Sequence, residues 1–154
     1  QFLTGNAVYA TPDVSEGVVG IASTDGTIYA LKAANGKEIW RHVTDRPIVA
    51  SPRIADGRVY IGSSEGIFRA LDLASGRTVW QYDGLGGFVE TKPLIHAGKV
   101  IFGAWDQHLY ALEAATGKLI WKWKGDKPGV LYSPAACWPD SADGKVFIVA
   151  PDRK

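Results

Sequence analysis

Gly26-Thr27-Ile28-Tyr29-Ala30-Leu31-Lys32-Ala33-Ala34-Asn35-Gly36-Lys37-Glu38-Ile39-Trp40 is the stretch on which the reading of this chain turns. It comes back from Gly66 to Trp80 and again from Gln107 to Trp121, at a spacing of about 40 residues. Inside each copy, short runs rich in Val, Ile, Tyr, Phe and Trp are bounded by Gly, Asp and Pro, which is the pattern of strands. A strand-bearing repeat of that length means a stacked or radial all-β architecture.

Each repeat divides into four short strands. In the second they are expected at Ile48 to Ser51, Arg58 to Gly62, Ile67 to Asp72 and Thr78 to Tyr82. Pro12, Pro52, Pro93 and Pro134 recur in register, and proline, which cannot donate to a ladder, marks strand ends or edges. Asp25-Gly26 and Glu65-Gly66 read as two-residue hairpins with positive φ. Asp106-Gln107 holds the same place, and glutamine, which tolerates positive φ less well, predicts a looser or longer turn there. Asn35-Gly36, Ser75-Gly76 and Thr116-Gly117 close the next hairpin, where glycine admits a left-handed residue at little steric cost.

Trp40, Trp80 and Trp121 follow those turn glycines, Gly36, Gly76 and Gly117, on the last strand of each unit. A four-stranded sheet cannot bury both faces alone, so it stacks on the next, and a large flat ring fills the gap between sheets. The small residues expected to face the indoles are Ala30, Ala70 and Ala111. The units are predicted at about 7–43, 47–83 and 88–124, with an incomplete fourth over 130–154. The fourth places a first strand near Leu131 to Pro134, a long loop from Cys137 to Asp143, and a second strand at Lys145 to Val149. About three and a half four-stranded blades make an incomplete propeller. Its missing neighbours would come from the remainder of a longer polypeptide or from a second chain.

The 154 residues, 46% hydrophobic and 21% charged, suffice to bury a core. A net charge of +1 provides no long-range field toward nucleic acid or an anionic membrane. The single cysteine, Cys137, excludes an intrachain disulfide and reads as a small buried hydrophobe. No apolar run approaches the ~20 residues of a membrane span. No signal peptide is visible and the chain starts at Gln1 rather than Met, so a processed or excised piece is expected.

The segment Ala70-Leu71-Asp72-Leu73-Ala74-Ser75-Gly76-Arg77-Thr78-Val79-Trp80, with its two sisters, resembles the repeat of the PQQ-like (pyrroloquinoline-quinone-like) β-propellers. The resemblance covers nearly the whole chain. It implies a propeller of which this is roughly half, a docking role for the tryptophan, and a bacterial, extracytoplasmic (periplasmic or secreted) setting. Quinoprotein dehydrogenases, the propeller lipoprotein of the outer-membrane barrel assembly machinery, and propellers fused to bacterial kinases or phosphoesterases all belong to that family.

The quinoprotein enzymes hold PQQ with calcium, acidic and amide ligands, a stacking tryptophan and, in many, a ring of adjacent cysteines. This chain has no adjacent cysteine pair. Asp25, Glu65 and Asp106 are turn residues whose recurrence hairpin geometry explains, so no metal is assigned to them. His42, His96 and His108 lack ligand spacing. Asp83-Gly84-Leu85-Gly86-Gly87 lacks the Lys-Ser/Thr and the helix of a phosphate-binding loop and reads as an inter-blade connection. No catalytic residue stands out and no cofactor is predicted.

What remains is a surface. The loops entering each first strand share a face with the turns between second and third strands. On that face fall Arg46, Phe88, Glu90, Lys92, Trp105, Asp106 and Tyr132, with Glu90 and Lys92 expected on a strand and pointing the same way. Trp105 stands where its sisters have Thr24 and Ser64, and an aromatic at a polar mouth suits capture of a ligand or peptide. The expectation is a non-catalytic binding or scaffold module with a protein or small-ligand partner. The alternatives are part of a PQQ- and calcium-dependent dehydrogenase, or a sensor propeller fused to a kinase or phosphoesterase.

Overall fold

The computed structural model describes residues 1–124, 140–143 and 145–147. The expectations placed on Leu131 to Cys137, Tyr132 among them, lie outside the described residues. Three antiparallel sheets of four strands follow one another in chain order. The first holds β1 (Asp13–Ser15), β2 (Val18–Ala22), β3 (Thr27–Lys32) and β4 (Glu38–Val43). The second holds β5 (Arg53–Ala55), β6 (Arg58–Gly62), β7 (Phe68–Asp72) and β8 (Thr78–Tyr82). The third holds β9 (Leu94–His96), β10 (Lys99–Gly103), β11 (His108–Glu113) and β12 (Leu119–Lys124). A two-stranded sheet follows, β13 (Asp140–Ala142) with β14 (Lys145–Phe147). The first strands of successive sheets lie beside one another, β1 by β5, β5 by β9, β9 by β13, so the sheets radiate as propeller blades from a shared inner wall.

The first strand differs from its expected place. It follows the recurring proline, so β5 is Arg53–Ala55 and Ile48 to Ser51 is not strand. A proline at that boundary leaves no ladder donor missing. The two-residue turns also lie elsewhere. They join first to second strands, at Glu16-Gly17, Asp56-Gly57 and Ala97-Gly98, with φ near 50° and then near 70°. At Asp25-Gly26 the loop runs Ser23 to Gly26, closed by Gly26 N donating to Ser23 O at 3.1 Å and Ser23 N to Thr27 O at 3.1 Å. Only Gly26 is left-handed in it, at φ 82°. The Gln107 turn is not looser: Gln107 holds φ 71° and closes the same pair of bonds, at 3.2 and 3.0 Å.

The register of the fourth unit shifts too. Pro139 stands just ahead of β13, as Pro12, Pro52 and Pro93 stand ahead of β1, β5 and β9. β13 therefore falls inside the stretch read as loop, and Asp143, at φ 49°, repeats Glu16 and Asp56.

Between the sheets lies the core. A run of rings crosses from the second sheet to the third: Trp80 against Phe68 at 6.2 Å, Phe68 on Phe102 at 3.9 Å, Phe102 on Tyr110 at 5.6 Å. Phe68, Phe102 and Tyr110 are buried, each contributing about 1.5–3 kcal/mol of apolar burial.

Ala30, Ala70 and Ala111 are cross-strand partners of Trp40, Trp80 and Trp121 within the same sheet, each beside a register shift in the ladder. The small residue that an indole meets across the gap is instead a turn glycine. A Cβ on Gly76 would lie 2.6 Å from the Trp40 ring, and one on Gly117 would lie 2.5 Å from the Trp80 ring. Trp40 Nε1 donates to Leu73 O at 2.7 Å and Trp80 Nε1 to Ala114 O at 3.0 Å. His42 adds to the first junction, its Nδ1 lying 3.1 Å from Gly76 O.

Candidate functional site: the loop face

One acidic side chain in each blade ties the incoming connection to the turn between second and third strands. Asp25 accepts from Gly5 N at 2.7 Å, Thr27 N at 2.8 Å and Tyr29 Oη at 2.7 Å. Glu65 accepts from Asp45 N at 2.6 Å and Arg69 Nη2 at 2.5 Å. Asp106 accepts from Gly86 N at 2.9 Å, His108 N at 3.1 Å and Tyr110 Oη at 2.5 Å. Each carboxylate thus joins a loop, its own turn and the third strand, which puts the incoming loops and these turns on one face.

Burial pushes the three carboxyls up, and the hydrogen bonds outweigh it, so all three sit below the usual carboxylate range. The unfolded chain therefore binds protons at a higher pH than the folded one. The stability these groups contribute is complete above the ordinary carboxylate pKa of about 4 and is lost as pH falls through the lower folded values. Urea midpoints are expected to be flat from pH 7 to 5 and to fall steeply below 4. Asp106→Asn is expected to make that fall shallower; an unchanged slope counts against this role for Asp106.

The loop-face residues divide by what they touch. Trp105 N donates to Phe88 O at 2.9 Å, and the two rings stack with centroids 5.1 Å apart, at 46% and 37% exposure. Beneath them the chain is tight: a Cβ on Gly87 would lie 2.6 Å from Asp106 N. That close approach is the physical use of the Gly-rich connection. Arg46 and Glu90 are exposed. Glu90 and Lys92 lie ahead of β9 and not on a strand, and they part company. Lys92 is half-buried, with Nζ 2.6 Å from Asp13 Oδ1.

Asp13 carries no signal in the repeat and was missed. Its other oxygen accepts from Ile54 N at 2.7 Å, so one carboxylate on β1 ties down β5 and the approach to β9. Burial raises its pKa, and the bonds from Ile54 and Lys92, with the nearby Arg53 charge, bring it below the usual range. His108 leans on the same turn, its Nδ1 lying 3.0 Å from Asp106 O and 3.4 Å from Asp106 Oδ1.

Calcium beside a quinone needs acidic and amide groups converging on one point. Asp25, Glu65 and Asp106 stand on separate blades, each closed by its own donors. Among the described residues no three His, Cys, Asp or Glu side chains gather where an ion could sit. The residues described do not fit that group.

Residues 4–129 match the sequence profile of the family described as outer membrane protein assembly factor BamB. No curated protein matches the chain. Among solved structures it is similar to BamB from Moraxella catarrhalis, with 24% identity and a TM-score of 0.79 over 97% of this chain and 45% of that one. It is similar to the quinohemoprotein alcohol dehydrogenase of Comamonas testosteroni, with 26% identity and a TM-score of 0.67 over 77% of this chain and 21% of that one. The computationally designed Ika4 protein has 20% identity and a TM-score of 0.72 over 96% of this chain and 92% of its own. The chain thus spans under half of that BamB and about a fifth of that dehydrogenase.

Proposed function

We propose, from the premise that this chain belongs to the family of outer membrane protein assembly factor BamB, that it is a non-catalytic binding or scaffold module outside the cytoplasm, presenting its loop face to a protein partner. The observation that carries this is the Phe88–Trp105 stack. Two large rings are partly exposed at the surface, and the loop and turn that bear them are anchored by Asp106. Aromatic rings held this way lose little conformational entropy on binding and bury much apolar area, which is how binding hot spots work. Among the described residues no helix is long and apolar enough to cross a membrane.

The similarity to the Comamonas testosteroni enzyme supports a second reading, part of a quinone-dependent dehydrogenase. Adding calcium and the quinone and looking for a bound chromophore separates the two.

A photo-crosslinking residue at position 88 is expected to give one discrete protein adduct in bacterial envelope extract, and one at exposed Val79 none. With that protein purified, Trp105→Ala is expected to weaken binding at least about tenfold while leaving the urea midpoint unchanged. Unchanged affinity would remove Trp105 from the interface.

A further inference from the structure

At the end of the blades opposite the loop face, the turns at Glu16-Gly17 and Asp56-Gly57 lie beside the turn that joins β7 to β8. Between them, at the junction of the first and second blades, opens a cavity of about 360 Å³. Val18, Ile39 and Leu73 give it apolar walls, and Glu16 and Asp72 give it two carboxylates. Glu16 accepts from Gly57 N at 3.1 Å, and Asp72 accepts from Ser75 N at 2.8 Å and Ser75 Oγ at 2.6 Å. The Ser75 bonds, with Arg77 nearby, hold the Asp72 carboxyl below the usual range. Neither acid has an ion-pair partner among the described residues.

At the second junction an arginine takes the corresponding place. Arg58, the first residue of β6, crosses to the next blade and donates from Nη1 to Ala114 O at 2.6 Å and Ala115 O at 3.2 Å. Tyr60 Oη reaches the same Ala114 O at 3.3 Å. The repeat sets Leu73 and Ala74 where the third blade has Ala114 and Ala115, and it sets Val18 and Gly20 where the second has Arg58 and Tyr60. The first junction therefore keeps the two carbonyls and lacks both donors. Leu73 O takes only Trp40 Nε1 among the described side chains, at 2.7 Å, and Ala74 O takes none. A carbonyl has two lone pairs, so each can still accept. The acids recur as well: Asp56 and Glu113 hold the places of Glu16 and Asp72, and there the chain supplies its own cation.

We propose that the groove at the first junction is a binding site for an arginine side chain presented by a partner protein. Its guanidinium stands as that of Arg58 does, against Leu73 O and Ala74 O, and its methylenes lie on Val18, Ile39 and Leu73. Two carboxylates select a cation. Two successive carbonyls beside them select a flat fork of donors over a point charge. The proposal is independent of the loop-face reading, since it uses the other end of the blades.

The test follows the backbone N–H signals of the ¹⁵N-labelled 154-residue chain as N-acetyl-arginine amide is added. Saturable shifts are expected at Gly57, Leu73 and Ala74, with a Kd of about 1–10 mM, while Gly98, Ala114 and Ala115 stay put. N-acetyl-citrulline amide, of similar shape and without charge, is expected to bind at least about tenfold more weakly. An acetylated and amidated Ala-Ala-Arg-Ala-Ala peptide is expected to bind at least as well as the single residue, which separates a protein-borne arginine from a free guanidino compound. Val18→Arg supplies the cation from β2 as Arg58 does from β6, and it is expected to abolish the shifts. Glu16→Gln is expected to weaken binding about threefold or more. No saturation by about 100 mM overturns the proposal, as do equal affinities for the arginine and citrulline probes. So does failure of the peptide to bind, an unchanged affinity in Glu16→Gln, or undiminished binding to a Val18→Arg chain whose Trp40 indole signal is unmoved.

Discussion

Trp80→Ala is expected to lower the unfolding free energy by about 3–5 kcal/mol. The ring is 8% exposed and lies between two sheets, stacked toward Phe68 at 6.2 Å and tilted on Tyr60 at 6.0 Å. Its removal opens a cavity that rigid strands on both sides cannot close. The lost hydrogen bond adds little, because Ala114 O keeps Arg58 Nη1 at 2.6 Å and Tyr60 Oη at 3.3 Å. Trp40→Ala differs on this point: Leu73 O accepts from Trp40 Nε1, with no second donor among the described side chains. Trp40→Phe should therefore cost more than Trp80→Phe by about 1 kcal/mol, the cost of an orphaned buried carbonyl. Trp121→Ala is the internal control, since a half-buried ring leaves a smaller void. Guanidinium unfolding of the five variants reads these differences. A loss under about 1 kcal/mol for Trp80→Ala would mean that the indole is not what joins the blades.

The repeat made the architecture legible because burial enforces it. In the second unit, where the strands were bounded, β6 and β8 lie where the sequence places them and β7 starts within a residue of its expected place. The first strand was misplaced for a local reason. Ile48 and Val89 are fully buried and apolar, which reads as strand, yet they belong to the incoming loop. Val89 packs where a Cβ on Gly62 would be, 2.3 Å away, filling the space that this glycine leaves. The turns misled through chemistry. Asp25-Gly26 carries the residue pair favoured by a tight hairpin, while Ala97-Gly98 forms one with an alanine at φ 47°. The signal that would have corrected both is the constant offset from Pro12, Pro52, Pro93 and Pro139 to the glycine of the following turn.

The loop face was less legible, because its logic is long-range. Asp106 recurs as a turn residue, and only the folded chain brings Gly86 N to it. Lys92 reads as a loop-face residue paired in direction with Glu90, and its partner Asp13 is remote in sequence and carries no repeat signature. Trp105 was visible as an oddity beside Thr24 and Ser64. Phe88 becomes its neighbour because the Trp105 N to Phe88 O bond places both rings on one edge of the loop.

Gly117→Ala and Gly36→Ala form the second large contrast, and it separates backbone strain from docking. Both glycines lie in the turn between a third and a fourth strand and hold left-handed φ, 74° and 70°. Putting a Cβ on either costs about 1 kcal/mol for that conformation alone. At Gly36 nothing lies within 4 Å of the new atom. At Gly117 the new methyl would meet Trp80 Cε3 at 2.5 Å and Cδ2 at 2.6 Å. The indole cannot retreat, because Nε1 is held to Ala114 O and Phe68 lies behind it. Overpacking of that kind adds about 1–3 kcal/mol. Gly117→Ala is therefore expected to cost about 2–4 kcal/mol and Gly36→Ala about 1. In a double-mutant cycle Trp80→Ala should absorb most of the Gly117→Ala penalty beyond strain, since the ring that the methyl strikes is gone. Equal penalties at the two glycines, or strict additivity with Trp80→Ala, would show that the glycine serves its own turn and not the neighbouring blade.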